Sequence, residues 1–201
     1  MPGGTAEGVV FPRDVDEVAA VVRAARRLLP VGAQSSLTGG ATPRGDVVVS
    51  TRGLSAIAEP TGETVRVGAG VPLADLQRFL AGRELYYPPV PTFEGAFVGG
   101  TVATNAAGAA TFKYGVTRDW VSGLTVVLAD GSILDISRGD VRASDEGVIE
   151  LETSGRGVIR IDIPTYQVPM SRNNGSSLTA AARTIGSPID VQTSAASRSR
   201  S

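Results

Sequence analysis

The chain has 201 residues with 19 basic and 20 acidic side chains, a formal charge of -1, and neither histidine nor cysteine. A chain of this length buries roughly 70% of its unfolded surface and needs no staples; the missing residue types exclude disulfides, thiol nucleophiles, histidine triads, imidazole acid–base chemistry and the usual zinc sites. The near-neutral balance leaves no overall footprint for nucleic acid or an anionic membrane, no apolar run is long enough to span a bilayer, and "MPGGTAEG" lacks the parts of a signal peptide, so a cytoplasmic protein without metal is expected.

In chain order, "PRDVDEVAAVVRAARRLLP" places Val15, Val18, Ala19, Val22, Ala25 and Leu29 at helical spacing behind Asp14, with Glu17 three residues on. This predicts a capped amphipathic helix ending at Pro30, with Arg23, Arg26 and Arg27 on its solvated face. A small-residue loop, "VGAQSSLTGGATPRG", and the β-branched strand "DVVVS" follow. "TVRVGAG" alternates like a strand and leads into a helix over "VPLADLQRFLAG", opened by Pro72, stopped at Gly82, and buried through Leu73, Leu76, Phe79 and Leu80. The prolines of "YYPPVPT" hold the chain extended. "SGLTVVLADGSILDIS" reads as two strands joined at Asp130-Gly131, and "GVIELET" and "GVIRIDI" as further strands. Helices and strands mix without regular alternation, which predicts an α+β fold. From Asn173 the composition turns to serine, alanine and arginine without amphipathic period, so residues 173–201 are expected to be a poorly ordered tail.

Two loops carry the candidate chemistry, Gly32 to Gly40 and Gly99 to Gly108. Glycine and alanine let a backbone approach a ligand closely, and free N–H groups in such loops cradle anions, a diphosphate above all. Ser35, Ser36 and Thr38 add hydroxyls. Neither loop is followed by the Gly-Lys-Ser/Thr of a P-loop, and neither matches the dinucleotide fingerprint GxGxxG.

The segments "PVGAQSSLTGG", "YYPPVPT", "GGTVATNAAG" and "KYGVTRDWVSGLTVVLADG", in this order and spacing, resemble the FAD-binding domain of the p-cresol methylhydroxylase and vanillyl-alcohol oxidase superfamily, in particular its glycolate oxidase and D-lactate dehydrogenase branch. The resemblance covers roughly Gly8 to Pro169. It implies a two-lobed α+β domain over 8–172, with lobes of about 8–58 and 59–172 and FAD extended between them. It further implies that Gly32, Ala33, Gln34, Ser35, Ser36 and Leu37 form the diphosphate turn, that Pro91 and Thr92 lie beside the flavin, and that Gly99, Gly100, Ala103, Thr104, Asn105 and Gly108 run along the cofactor. Asn105 has two readings, a bond to the flavin or ribityl chain and a bond to its own loop backbone. Arg118 with Asp119 reads as a structural pair or turn ahead of a catalytic set, Trp120 as core filler, and Tyr86 and Tyr87 as packing against the helix ahead of flanking the adenine or isoalloxazine.

The departures are specific. Val90 stands where the family commonly has aspartate. The absence of histidine and cysteine implies non-covalent FAD. The substrate-binding cap is missing, and the Gly-Ser-Glu-Gly-Thr-Leu-Gly element expected after "IPTYQVPMSRNNGS" does not appear, so a truncated or frame-disrupted dehydrogenase is expected. The implied reaction is oxidation of a small 2-hydroxy acid at the flavin, with the cap or a partner subunit completing the substrate site. No catalytic residue is assigned; Lys113 and Tyr114 qualify by chemistry alone. A flavin-binding module without turnover and a non-flavin anion binder are the alternative readings.

Overall fold

Three parallel strands and a capped helix open the chain. Strand β1 (Thr5–Val10), helix α1 (Val15–Ala24), β2 (Leu28–Val31) and β3 (Arg44–Ser50) form a sheet in the order β1-β3-β2. The computed structural model describes residues 3–89, 91–143, 148–153, 157–162, 185–192 and 194–195. The Asp14 side chain accepts from the Glu17 N–H at 2.8 Å, as the capping pattern requires, while Glu17 turns back to the Arg13 backbone and guanidinium. Val18, Ala19 and Val22 are buried along one face of α1.

The helix is shorter than its apolar spacing predicts. Ala25 is extended at φ -94° and ψ 138°, and Leu28 to Val31 leave the helix to pair with Val47 to Ser50. Leu28 and Leu29 satisfy helical spacing and strand pairing alike, and the ladder of β3 decides between them. Pro30 has no N–H to donate, which an edge strand tolerates. Two of the arginines expected on a solvated face have protein partners: Arg23 donates to the Gly131 carbonyl at 2.8 Å, and Arg27 lies 3.2 Å from Asp46.

A 3-10 turn at Thr51–Gly53 leads to β4 (Thr64–Val67), α2 (Leu73–Ala81), β5 (Leu85–Tyr86), α3 (Val98–Ala103), α4 (Thr111–Tyr114) and β6 (Val121–Val127). Then follow β7 (Ile133–Ser137), β8 (Val141–Ala143), β9 (Val148–Thr153), β10 (Gly157–Asp162), β11 (Ile185–Gln192) and β12 (Ser194–Ala195). A second sheet has the order β4-β11-β6-β7 with antiparallel neighbours throughout. Its β6–β7 hairpin turns through Gly131 at φ 77°, closed by Leu128 N–H to Ser132 O at 2.8 Å. Strands β8 to β10 form an antiparallel meander, and β12 pairs with β5.

Within the segment expected to be a poorly ordered tail, residues 185–192 form a strand between β4 and β6. A bias towards serine and alanine says little about a short strand, for which Ile185, Ile189 and Val191 suffice when ladders wait on both sides. Residues 173–184 and 196–201, the segment "IPTYQVPMSRNNGS" and Val90 lie outside the described residues.

One apolar cluster joins the two sheets. Val18, Ala19, Val22 and Val49 pack with Val65, Val67 and Val127 and with Leu73, Leu76 and Leu80 of α2. The three leucines are fully buried, as their spacing predicts, whereas Phe79 is half-buried under the Arg83 guanidinium, 3.6 Å from its ring centroid. Tyr87 is fully buried, and its backbone is clamped by the Gln77 amide of α2. Its hydroxyl lies beside Thr117, but the Thr117 hydroxyl is donated to Ala106 O at 2.8 Å, and no well-formed hydrogen bond reaches the phenol. Burial pushes the Tyr87 phenol above its ordinary value.

Two stability changes follow. Asp14→Ala lowers the unfolding free energy by about 1 kcal/mol through loss of the cap. Tyr87→Phe removes a buried polar group without a good partner, so stability stays level or rises by up to about 1 kcal/mol. Urea denaturation of both variants measures the difference; a loss above about 1 kcal/mol for Tyr87→Phe would show that its hydroxyl is bonded.

Candidate functional site

Helix α3 is the part of the glycine-alanine stretch that an expected loop does not describe. Thr101 N–H bonds Phe97 O at 3.0 Å and Thr104 N–H bonds Gly100 O at 3.2 Å, so the segment starts as a helical turn and becomes irregular only beyond Ala103. Its faces divide the work. Val98 is fully buried, and Val102 packs against the core. Gly99 is pressed onto Ala69, where an added Cβ would lie 2.7 Å from the Ala69 Cβ. Phe97, Gly100, Thr101 and Thr104, at the i, i+3, i+4, i+7 positions of the opposite face, line a cavity of about 410 Å³.

The facing wall is the loop after β2. Gly32, Ala33, Gln34, Ser35 and Ser36 line the cavity, as do Thr38, Gly40 and Ala41. Gln34 stands in the left-handed region at φ 54°, and its amide donates to Ala41 O at 3.2 Å, tying the loop closed. The Ser36 and Thr38 hydroxyls meet at 2.9 Å. Among the described residues, no N–H of Ala33, Gln34, Ser35 or Ser36 has a protein acceptor. Pro91 and Ala96 complete the walls, and Phe93, 58% exposed, stands on the cavity margin.

Of the residues expected to hold a cofactor, the structure brings Gly32, Ala33, Gln34, Ser35, Ser36, Pro91, Gly100, Ala103 and Thr104 together around one cavity. Leu37, Thr92, Gly99, Asn105 and Gly108 do not line it. Leu37 is 88% exposed. Gly99 is small because of Ala69, whereas a Cβ on Gly100 would meet nothing within 4 Å and project into open space. The Asn105 side-chain oxygen accepts from the Arg118 N–H at 3.0 Å, a backbone group outside its own loop, and Gly108 N–H donates to the Thr111 hydroxyl at 2.8 Å. Phe97, Thr101 and Ala106 are lining residues that sequence reasoning missed. The signal was the helical period in "FVGGTVAT", hidden because glycine-rich segments read as loops.

No described residue that lines the cavity is ionisable. Such a surface suits a large ligand whose negative charge is met by main-chain N–H groups and hydroxyls, and its volume lies within the roughly 300–1,000 Å³ of ordinary ligand sites. The open space at Gly100 and the N–H groups of Ala33 to Ser36, which meet no acceptor among the described residues, fit an extended dinucleotide with a diphosphate.

A second cluster lies outside the cavity lining. Lys113 Nζ sits 4.8 Å from the Tyr114 ring centroid, and the Tyr86 ring meets Tyr114 edge-on at 6.0 Å. The Lys113 ammonium, and secondarily a hydrogen bond with Tyr86, hold the Tyr114 phenol below its ordinary value, and Tyr114 in turn raises Lys113. Asp119 accepts from Val116 N–H at 2.9 Å and stands 4.0 Å from Arg118, while Arg138 bonds the carbonyls of Arg118 and Val121. Arg118 and Asp119 therefore organise the turn before β6. Trp120 packs on the core and donates to Tyr114 O at 2.7 Å.

Among the described residues, no helix is long and apolar enough to cross a membrane. Comparison with known proteins agrees with the geometry. The model of an FAD binding domain matches residues 6–137. A D-2-hydroxyglutarate dehydrogenase of Stutzerimonas stutzeri is 36% identical over 65% of this chain and 30% of its own length. A D-lactate dehydrogenase of Archaeoglobus fulgidus is 34% identical over 76% of this chain and 36% of its own. The glycolate oxidase subunit GlcD of Bacillus subtilis is 35% identical over 64% of this chain and 29% of its own. The chain thus spans about a third of the length of these relatives. Among solved structures, 6-hydroxy-D-nicotine oxidase of Arthrobacter nicotinovorans superposes with a TM-score of 0.59 at 28% identity, over 64% of this chain and 29% of that one. The BBE-like 1 protein of Physcomitrella patens shares the fold with a TM-score of 0.65 at 18% identity, over 92% of this chain and 36% of its own. An α+β scaffold, an uncharged cavity between a glycine loop and a small-residue helix, and a match over residues 6–137 agree: the chain belongs to the FAD binding domain family.

Proposed function

We propose that this chain is the FAD-binding part of an oxidoreductase that oxidises a small 2-hydroxy acid of the D-lactate or glycolate kind. The observation that carries the reading is the uncharged cavity closed by the Gly32 loop on one side and the Gly100 face of α3 on the other. In this reading the N–H groups of Ala33 to Ser36 hold the diphosphate, Gly100, Ala103 and Thr104 pass along the cofactor, and Pro91 packs beside it. The lobes divide at about residue 58, and FAD is held without a histidyl or cysteinyl bond, since the chain offers neither residue. Bound FAD supplies the redox chemistry, acceptance of a hydride equivalent from the carbinol carbon.

The chain's own groups bind and orient. Hydroxyls of Thr101 and Thr104 are donated inward, to Val98 O at 2.8 Å and Gly100 O at 2.9 Å, so towards a ligand they act as acceptors. A carboxylate-binding cation and an acceptor for the substrate hydroxyl proton come, in this reading, from a cap or partner subunit, and the enzyme is cytoplasmic. One observation favours a second reading, a flavin-binding module without turnover of its own: the described cavity wall carries no acid or base.

Purified protein should take up one equivalent of FAD and show the flavin spectrum; a chain that stays colourless with excess FAD overturns the proposal. Gly100→Leu should keep the circular dichroism of the parent yet weaken FAD binding at least 100-fold in a fluorescence titration, and Ser35→Trp should do the same from the opposite wall. Gly99→Ala, in contrast, should act through the fold, lowering stability by about 1–3 kcal/mol by overpacking against Ala69. Anaerobic bleaching of bound flavin by glycolate or D-lactate, with the cap or partner subunit supplied alongside the chain, separates the two readings: bleaching supports the oxidoreductase part, and an unchanged spectrum the module.

A further inference from the structure

Gln34 stands in a conformation that its residue type disfavours. Its φ of 54° is left-handed, a region that a residue with a Cβ enters at a cost and keeps only where the surroundings hold it. Gly32, Gly39 and Gly40 lie in the same loop, and Gly39 is itself left-handed at φ 71°, so glycine is in free use here and yet glutamine occupies position 34. What glutamine offers and glycine lacks is a side-chain amide, which donates to Ala41 O at 3.2 Å. Asparagine enters the left-handed region more readily but is one methylene shorter. Among the described residues, the other hydrogen bonds within 32–43 span two or three residues: the Ser36 hydroxyl with the Thr38 hydroxyl and N–H, and Thr42 N–H with Gly39 O. The Gln34 bond spans seven, and it is the one that joins the outgoing limb of the loop to the returning limb.

A left-handed residue within a turn swings successive N–H groups to one side of the chain, the concave arrangement that receives an anion. The N–H groups of Ala33, Gln34, Ser35 and Ser36 meet no acceptor among the described residues, and these four residues line the cavity together with Ala41. Gln34, Ser35 and Ser36 are exposed, so burial does not hold the arrangement. We propose that Gln34 is a positioning residue of the cavity: the clasp from its amide to Ala41 fixes the left-handed turn before a ligand arrives and so presets the N–H donors for a diphosphate. This role rests on the reading of the Gly32 loop as a diphosphate turn. Affinity then comes from the order that the amide imposes, not from a bond between amide and ligand. A loop that must become ordered on binding loses affinity by the fraction of time it spends in other conformations, which sets the direction of the effect.

The test uses the whole chain, with FAD and ADP as probes that share a diphosphate. Gln34→Met keeps the length of the side chain and removes the donor; Gln34→Gly admits the left-handed turn without cost and has no amide. Both variants should keep the circular dichroism and urea midpoint of the parent while binding FAD and ADP at least tenfold more weakly by titration calorimetry. In the ligand-free chain, amide nitrogen order parameters over residues 35–40 should fall from about 0.85 in the parent to below about 0.6 in both variants, a change that loss of a direct ligand contact does not produce. Parent-like affinity in either variant overturns the positioning role. So does weakened binding with unchanged order parameters, which would make the amide a ligand contact, and so does a parent loop already below about 0.6. A parent chain that binds neither FAD nor ADP overturns the diphosphate reading itself, and the role of Gln34 with it.

Discussion

The close approach of three stretches of backbone governs this structure. Residues 68–70, between β4 and α2, run sandwiched between the turn at 51–56 and the start of α3. Gly68 N–H bonds Ala56 O and Gly70 N–H bonds Leu54 O on one side, while Ala69 O accepts from Gly99 N–H at 2.9 Å and Val71 O from Val98 N–H at 2.9 Å on the other. Added Cβ atoms at Gly68, Gly70 or Gly99 would run into Leu54 O, Thr51 O or Ala69 respectively. The glycines are thus consumed by packing, and that packing sets the rotation of α3. With 98, 99 and 102 turned to the protein, 97, 100, 101 and 104 have only the cavity to face.

The opposite wall depends on the same turn. The Thr51 hydroxyl donates to Val31 O at 3.4 Å, at the point where β2 ends and the Gly32 loop begins, and a Cβ added to Gly32 would lie 3.8 Å from the Phe97 side chain. The loop and the helix are therefore referenced to one feature, the 3-10 turn after β3, although they belong to different sheets. The single apolar cluster that joins Val49 to Val65 and Leu73 keeps the sheets from moving independently. A site placed between two elements with a common anchor is preorganised without any charged residue holding it.

How much of this was legible in the sequence follows from the range of the forces involved. Helix α2 and the cap of α1 were readable because spacing and capping are local: Leu73, Leu76, Leu80 and the Asp14–Glu17 pair carry their own signal. The end of α1 was not, since Leu28 and Leu29 fit both periods and the ladder to Val47 and Val48 lies outside their neighbourhood. The segment expected to run along the cofactor was picked out through its resemblance to a family, yet the parts its residues play in the fold were blurred. Adjacent glycines at 99 and 100 look alike in one dimension and face a core and a cavity in three. Asn105 likewise binds a backbone group thirteen residues on, which no local rule anticipates. The strand at 185–192 was invisible for the same reason: its neighbours, more than 50 residues back, supply the order its composition lacks.

The uncharged wall has a chemical consequence. A diphosphate held by arginine or lysine gains from a strong field but exposes binding to screening and fixes a positive charge near whatever else shares the space. Main-chain N–H groups donate to phosphate oxygens as charge-assisted bonds of about 1.5–3 kcal/mol each, act only at contact, and carry no net charge. In the proposed reading, a loop such as 32–36 would grip an anionic linker and leave the rest of the cavity electrically quiet, open to whatever charge the substrate side requires. In an oxidoreductase whose substrate is itself an anion, this separation keeps the groups that hold the cofactor from competing for the substrate's carboxylate. On the proposed function, it would place the choice of substrate on residues outside the cavity described here, so that cofactor binding and specificity could vary independently.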